Sequence, residues 1–141
     1  MQKKDLIVIN PYLTFGGNCR DAMEFYRDCL SAKLETLPFE GSPVEVPDGY
    51  KDKTMHATLR FGSAVIMASD GMPGKTFSFG DGISISLATN NLKKAERYFN
   101  NLAEGGQIIM PFKDQFWGAR FGQLIDKFGL RWMVNCELEK K

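Results

Sequence analysis

The chain has one histidine, and His56 is the one side chain whose ordinary pKa lies near neutrality. That makes it the default general acid or base. Its competing role is structural, a ring hydrogen-bonded inside the fold or at a strand end. Arg60, Arg120 and Arg131 carry the planar fork that suits a carboxylate or phosphonate, the commoner use being a surface ion pair with one of the chain's many carboxylates. Asp70 and Asp126 lie beside or near glycines, where an aspartate usually bonds local turn N–H groups. Trp117 follows Asp114-Gln-Phe116 in a turn, and is either an aromatic wall of a pocket or a buried or dimer-interface anchor. Cys19, Cys29 and Cys136 are odd in number and lack metal-ligand spacing, so they read as reduced thiols in a cytoplasmic protein. There is no P-loop and no G-x-S-x-G turn, and Gly16-Gly17 lacks the spacing of a dinucleotide-type glycine-rich turn.

Bulk properties narrow the partners. A formal charge of +1, with no Lys/Arg cluster denser than Lys3-Lys4, Lys93-Lys94 and Lys140-Lys141, gives no electrostatic reason to expect nucleic acid. No apolar run approaches the ~18 residues of a membrane span, and Met1-Gln-Lys-Lys-Asp leads into a short strand rather than a signal-peptide core. A chain of 141 residues fits one domain or two small modules sharing a core.

The elements that must position these residues come twice. An alternating strand over 8–15 leads into a helix carrying Ala22-x-x-Phe25-Tyr26, and a second over 83–88 leads into one carrying Ala95-x-x-Tyr98-Phe99. Asn18 is the expected N-cap of the first helix, which runs to about residue 30, and Ala22, Met23, Phe25, Tyr26, Cys29 and Leu30 form its core stripe. Strands are expected over 32–39, 56–61 and 64–69, the last two joined by a Gly62-Ser63 hairpin, with a Gly/Pro/acidic loop over 40–52. The second module repeats this with a helix over 91–103 and strands over 107–112, 119–126 and 131–136. The expected organisation is a single domain over 6–136, with module one at about 6–70, a linker at 71–81 and module two at 82–136.

Alternation sorts each strand into two faces. Ile9, Leu13 and Phe15, then Met55, Ala57, Leu59 and Phe61, Ile83, Ile85 and Leu87, and Trp132, Val134 and Cys136 are expected to meet the helices. The opposite faces present Asn10, Tyr12 and Thr14; His56, Thr58 and Arg60; Ser84 and Ser86; and Arg131, Met133 and Asn135. On a flat sheet such residues face water. On two sheets curved toward each other they would line a cleft suited to a small molecule.

The ordered set Pro11-Tyr-Leu-Thr-Phe-Gly-Gly-Asn-Cys-Arg-Asp-Ala-Met-Glu-Phe-Tyr26, Met55-His-Ala-Thr-Leu-Arg-Phe-Gly62, Met67-Ala-Ser-Asp70, Phe116-Trp-Gly-Ala-Arg-Phe-Gly122 and Asp126-Lys-Phe-Gly-Leu-Arg-Trp132 resembles the PhnB-like family of the vicinal oxygen chelate superfamily. That superfamily includes glyoxalase I, bleomycin-resistance proteins, fosfomycin-resistance enzymes and extradiol dioxygenases. The resemblance implies an α+β fold, two βαβββ modules forming a curved, partly open eight-stranded barrel with helices outside, and a homodimer. Its metal-binding positions fall at about Asn10, Met67, Ser84 and Met133, none a good ligand for Zn, Fe or Mn. No metal and no cofactor is therefore expected. Family members are sometimes labelled ubiquinone-pathway methyltransferases, a reading disfavoured by hairpin-joined strands without a glycine-rich turn. The resulting expectation is a metal-independent small-molecule-binding protein whose site comprises Asn10, Tyr12, His56, Met67, Ser84, Ser86, Trp117 and Met133. The alternatives are a lyase, isomerase or transferase using His56 as acid or base, and an interaction module whose dimer surface is the working part.

Overall fold

The computed structural model describes residues 5–139. The chain divides between Phe77 and Ser78 into two compact units. The first contains β1 (Tyr12–Phe15), α1 (Cys19–Leu30), β2 (Lys33–Pro38), β3 (Thr54–Phe61) and β4 (Ala64–Asp70), with a 3-10 turn at Asp48–Tyr50 inside the long loop. The second contains β5 (Ile85–Ala88), α2 (Leu92–Ala103), β6 (Gln107–Asp114), β7 (Ala119–Ile125) and β8 (Arg131–Glu137).

Both units have one topology. The sheet orders are β1-β4-β3-β2 and β5-β8-β7-β6, the first strand lying parallel to the last and the other pairs antiparallel. A parallel pair needs a long crossover, here the helix and two strands between. The fold is α+β, two βαβββ modules each with one mixed sheet and one helix. Among the described residues no ladder joins the two sheets.

The helix-facing sides form the core. In the first unit Ala22, Met23, Tyr26 and Leu30 of α1 are buried with Leu13, Phe15, Ala57, Leu59 and Ala68. In the second, Ala95, Phe99 and Leu102 of α2 are buried with Leu87, Leu124, Trp132, Val134 and Cys136. Gly62 takes φ +57 in the β3–β4 turn, a conformation glycine adopts without a Cβ penalty.

Two expectations fail at the strand starts. Ile9 is 93% exposed and Ile83 is 72% exposed, although alternation assigned both to the core. Each lies ahead of the first laddered residue, Tyr12 or Ile85, so its strand face is not yet established. Pro11 has no N–H to give; it contributes only its carbonyl, which accepts from the Met67 N–H at 3.0 Å. Asn18 also fails as a side-chain cap, for a reason that lies in Asp70.

Candidate functional site

The outward face of the first sheet is ordered by register. Tyr12, Met67, Thr58 and Glu35 lie side by side across β1, β4, β3 and β2, because Tyr12 pairs with Met67, Met67 with Thr58 and Thr58 with Glu35. Cross-strand neighbours share a face, so these four side chains stand together. His56 is two residues before Thr58 on β3, and therefore on the same face.

There the imidazole is held at both nitrogens. The Tyr12 hydroxyl lies 3.2 Å from Nδ1, and the Thr58 hydroxyl lies 3.2 Å from Nε2. The Tyr12 and His56 rings are tilted at 41° with centroids 5.8 Å apart. A neutral imidazole donates from one nitrogen and accepts at the other. One hydroxyl therefore donates to the ring and the other accepts from it. The accepting hydroxyl keeps its own proton to offer outward, and the donating one keeps its lone pairs. Tyr12 remains 48% exposed, so the cluster is open at the protein surface.

The second sheet repeats the row with other chemistry. Ser86 pairs with Met133, Met133 with Gln123 and Gln123 with Met110, so Ser86 and Met133 occupy the places of Tyr12 and Met67. Phe121 pairs with Asn135 beside this row, and the Trp117 ring meets Phe121 edge-on at 5.8 Å. Trp117 stays half exposed in the β6–β7 turn.

Of the expected site residues, Tyr12, His56 and Met67 come together in the first unit, and Ser86 and Met133 in the second. Asn10 and Ser84 are half-buried and each lies two residues ahead of its strand partner, Tyr12 or Ser86, outside the assigned strand. Arg120 is an ion-paired residue, its Nε 2.7 Å from the Asp114 carboxylate, which raises the already high guanidinium pKa. Thr58 is the residue whose role the sequence left unassigned; its place two residues after His56 in a strand was the available signal.

The buried aspartates do different work. Asp126 behaves as the turn predicts, its Oδ1 accepting from the N–H groups of Phe128 and Leu130, and its Oδ2 also takes the Trp132 indole N–H at 2.8 Å. Asp70 is not a local turn residue. Its Oδ1 accepts from Gly17 N–H at 2.8 Å and Cys19 N–H at 3.0 Å, and its Oδ2 from Thr54 N–H at 2.9 Å. A carboxylate from β4 thus closes the start of α1, the task expected of Asn18. Burial, with the Asp70 charge beside it, pushes the Cys19 thiol up to about 12. Burial also raises Cys136, opposed by Arg120.

Whether a divalent ion fits is decided by the donors. The register makes Met67 and Met133 counterparts, and Asn10 and Ser84 precede counterpart residues. Two thioethers, an amide and a hydroxyl are poor ligands for Zn, Fe or Mn. Among the described residues no group of three or more His, Cys, Asp or Glu side chains is arranged to hold a metal. These four residues do not fit the divalent ion that the resemblance implies.

The family model described as 3-demethylubiquinone-9 3-methyltransferase matches residues 8–135. The chain belongs to that family. It is PhnB-like. Protein YjdN of Escherichia coli K12 is 35% identical to this PhnB-like chain over 90% of it and 93% of the relative. The crystal structure of PA1353 from Pseudomonas aeruginosa has a TM-score of 0.84 at 48% identity, covering 95% of this chain and 100% of that one. The PhnB protein of Bacillus cereus has a TM-score of 0.75 at 24% identity, covering 91% and 98%. Fosfomycin-resistance and glyoxalase/bleomycin-resistance structures share the fold at 9% and 14% identity, a likeness of fold alone. No helix among the described residues is long and apolar enough to cross a membrane.

Proposed function

We propose that this PhnB-like protein binds a small organic molecule through side chains, without a resident metal ion. The observation that supports it is the Tyr12–His56–Thr58 cluster, held on three-strand register and open to solvent beside the Met67 thioether. It offers a donor, an acceptor and a soft apolar surface, which is the lining a small-molecule site needs. The ligand-contacting residues we assign are Asn10, Tyr12, His56 and Met67 on the first unit's face, and Ser84, Ser86, Trp117 and Met133 in the second unit. The working form in this reading is a cytoplasmic homodimer, consistent with three free, buried cysteines and with the family resemblance.

Methyl transfer, which the family description names, is not the reading we favour. Neither sheet has the doubly wound parallel order with a glycine-rich turn on which the usual methyl-donor sites are built. A second reading has a specific observation behind it. An imidazole bonded at both nitrogens to hydroxyls is a proton relay, so His56 could serve as acid or base for a bound substrate.

Native mass spectrometry of the protein, purified without added metal or chelator, tests the first reading. A metal-free mass, with or without a co-purified organic molecule, is expected; a stoichiometric divalent ion overturns metal independence. Incubation with a metabolite extract, followed by mass spectrometry, separates the two readings. Under the binding reading His56→Gln changes affinity and no compound is consumed. Under the relay reading a compound is consumed, and the variant slows its loss by about 10²-fold or more.

A further inference from the structure

We infer that the first unit's outward face takes an organic anion, its acid group held between Lys33 and Arg60 and its body lying over Thr58 and Met67 toward His56. This rests on the small-molecule reading and supplies its ligand class. It begins from an unfavourable pair. Lys33 of β2 stands directly opposite Arg60 of β3. Side chains so placed have Cβ atoms about 4.5–5.5 Å apart, and like charges there destabilise a sheet.

Among the described residues neither cation has an ion-pair partner. Arg120 has Asp114, Arg27 has Asp28 and Glu24, and Lys51 has Asp48, whereas no described carboxylate lies within ion-pairing distance of Lys33 or Arg60. The acidic group nearest on that face is Glu35, opposite Thr58 and so diagonal to Arg60, at about 7–8 Å for such neighbours. The potential between the two cations is therefore left for a ligand. An Arg fork gives a bidentate contact and the Lys ammonium a point charge, a combination that suits a carboxylate or a phosphate ester.

Continuity joins this pair to the candidate site. Arg60, Thr58 and His56 follow one another on one face of β3, about 7 Å per step of two residues. Val65 flanks Arg60 and Met67 flanks Thr58 on β4, an apolar floor beside the charged and hydroxyl groups. A molecule with an acid group at one end and a carbonyl or hydroxyl about 7–14 Å away meets every feature in line. The equivalent row of the second sheet, Gln107, Ile125 and Arg131, holds one cation and no opposed pair.

The test is amide-shift titration of the 15N-labelled full chain with three probes, benzoate, phenyl phosphate and uncharged benzamide. Benzoate, phenyl phosphate or both are expected to shift Lys33, Thr58, Arg60 and Met67, with the tighter one naming the acid group, and benzamide to bind more weakly. Lys33→Gln and Arg60→Gln are each expected to weaken the anion about 10-fold while leaving the fold's spectrum intact. Equal binding of benzamide and the anions at this face, unaffected by Arg60→Gln, overturns the anion inference and leaves the small-molecule reading standing. No shift at this face with any probe also overturns the inference, and the binding reading is then judged by its co-purified mass and metabolite assay.

Discussion

The two modules share a topology and a ladder register, yet they spend the same positions differently. On the first outward face the row Tyr12, Met67, Thr58 and Glu35, with His56 adjoining, is polar and titratable. On the second the row Ser86, Met133, Gln123 and Met110, with Phe121 and Trp117 adjoining, mixes a hydroxyl and an amide with thioethers and aromatic rings and has no titratable group. Topology therefore sets where a side chain stands, and says nothing of what it does there. In this chain the titratable groups of these rows stand in the first module, and the Phe121 and Trp117 rings, beside a pair of thioethers, in the second.

The buried sides diverge as well, and the largest predicted effect breaks that contrast. Asp70 gathers three backbone N–H groups from two elements and the Gly17–Cys19 approach to α1. Asp70→Ala leaves those donors without a partner, the Cys19 and Thr54 N–H groups among them buried, and is expected to cost about 3 kcal/mol in chemical denaturation. Asp126→Ala is expected to cost less, about 2 kcal/mol, because the backbone bonds between Asp126, Gly129 and Leu130 still hold its turn. Hydrogen exchange should localise the first loss to α1 and the second to the β7–β8 turn. Equal losses, or loss of α2 protection on changing Asp70, would sink the assignment.

Burial of Cys19, with the same carboxylate beside it, sets a pH window. Cys19 is held neutral by burial and by the Asp70 charge, its pKa raised from 9.0 to about 12. An unfolded chain loses this proton first, so ionisation favours unfolding at high pH. The contribution is fully present below pH 9 and is lost as pH rises toward about 12. Denaturation curves between those values should fall for the wild type and fall less for Cys19→Ala; identical slopes would remove Cys19 from the account.

How much of this was legible in the sequence depends on whether a residue acts along its own element or across the fold. The repeat, the Gly62-Ser63 hairpin and the buried Trp132, Val134 and Cys136 face were legible, because period-two alternation and turn chemistry are local. Ile9 and Ile83 misled for the same reason in reverse: alternation continues past the point where the ladder begins, and pairing decides burial. Asp70 as the closing group of α1 was not legible, since its partners are 53, 51 and 16 residues away. His56 stood out by residue type, but its clamp by Tyr12 and Thr58 needed the strand register. The opposition of Lys33 and Arg60 needed it too.

A second contrast lies at one ladder position of the helix-facing sides. Gly122 pairs with Val134 where the first module pairs Ala57 with Ala68. A Cβ on Gly122 would meet Phe99 Cε2 at 2.7 Å, the Phe112 Cα at 2.9 Å and the Met110 carbonyl oxygen at 3.0 Å. Glycine lets Phe99 stack on Phe112, with ring centroids 5.4 Å apart. Gly122→Ala is expected to destabilise by about 2 kcal/mol through overpacking. The converse change, Ala57→Gly, opens only a methyl-sized gap and is expected to cost about 1 kcal/mol. Near-ultraviolet circular dichroism should register the first as a disturbed aromatic signal, and an unchanged signal with unchanged stability would mean that β6 yields freely.

The smallest effect separates the two helix starts. The Asn91 side chain accepts from the Lys94 N–H at 3.0 Å, an ordinary N-cap, whereas Asn18 makes no side-chain cap bond and leaves the task to Asp70. Asn91→Ala should therefore lower stability by about 1 kcal/mol. Asn18→Ala should change it by no more than about 0.5 kcal/mol. Denaturant midpoints measured side by side decide the matter: equal shifts would mean that α1 does draw on Asn18, and that the carboxylate of β4 is not its principal cap.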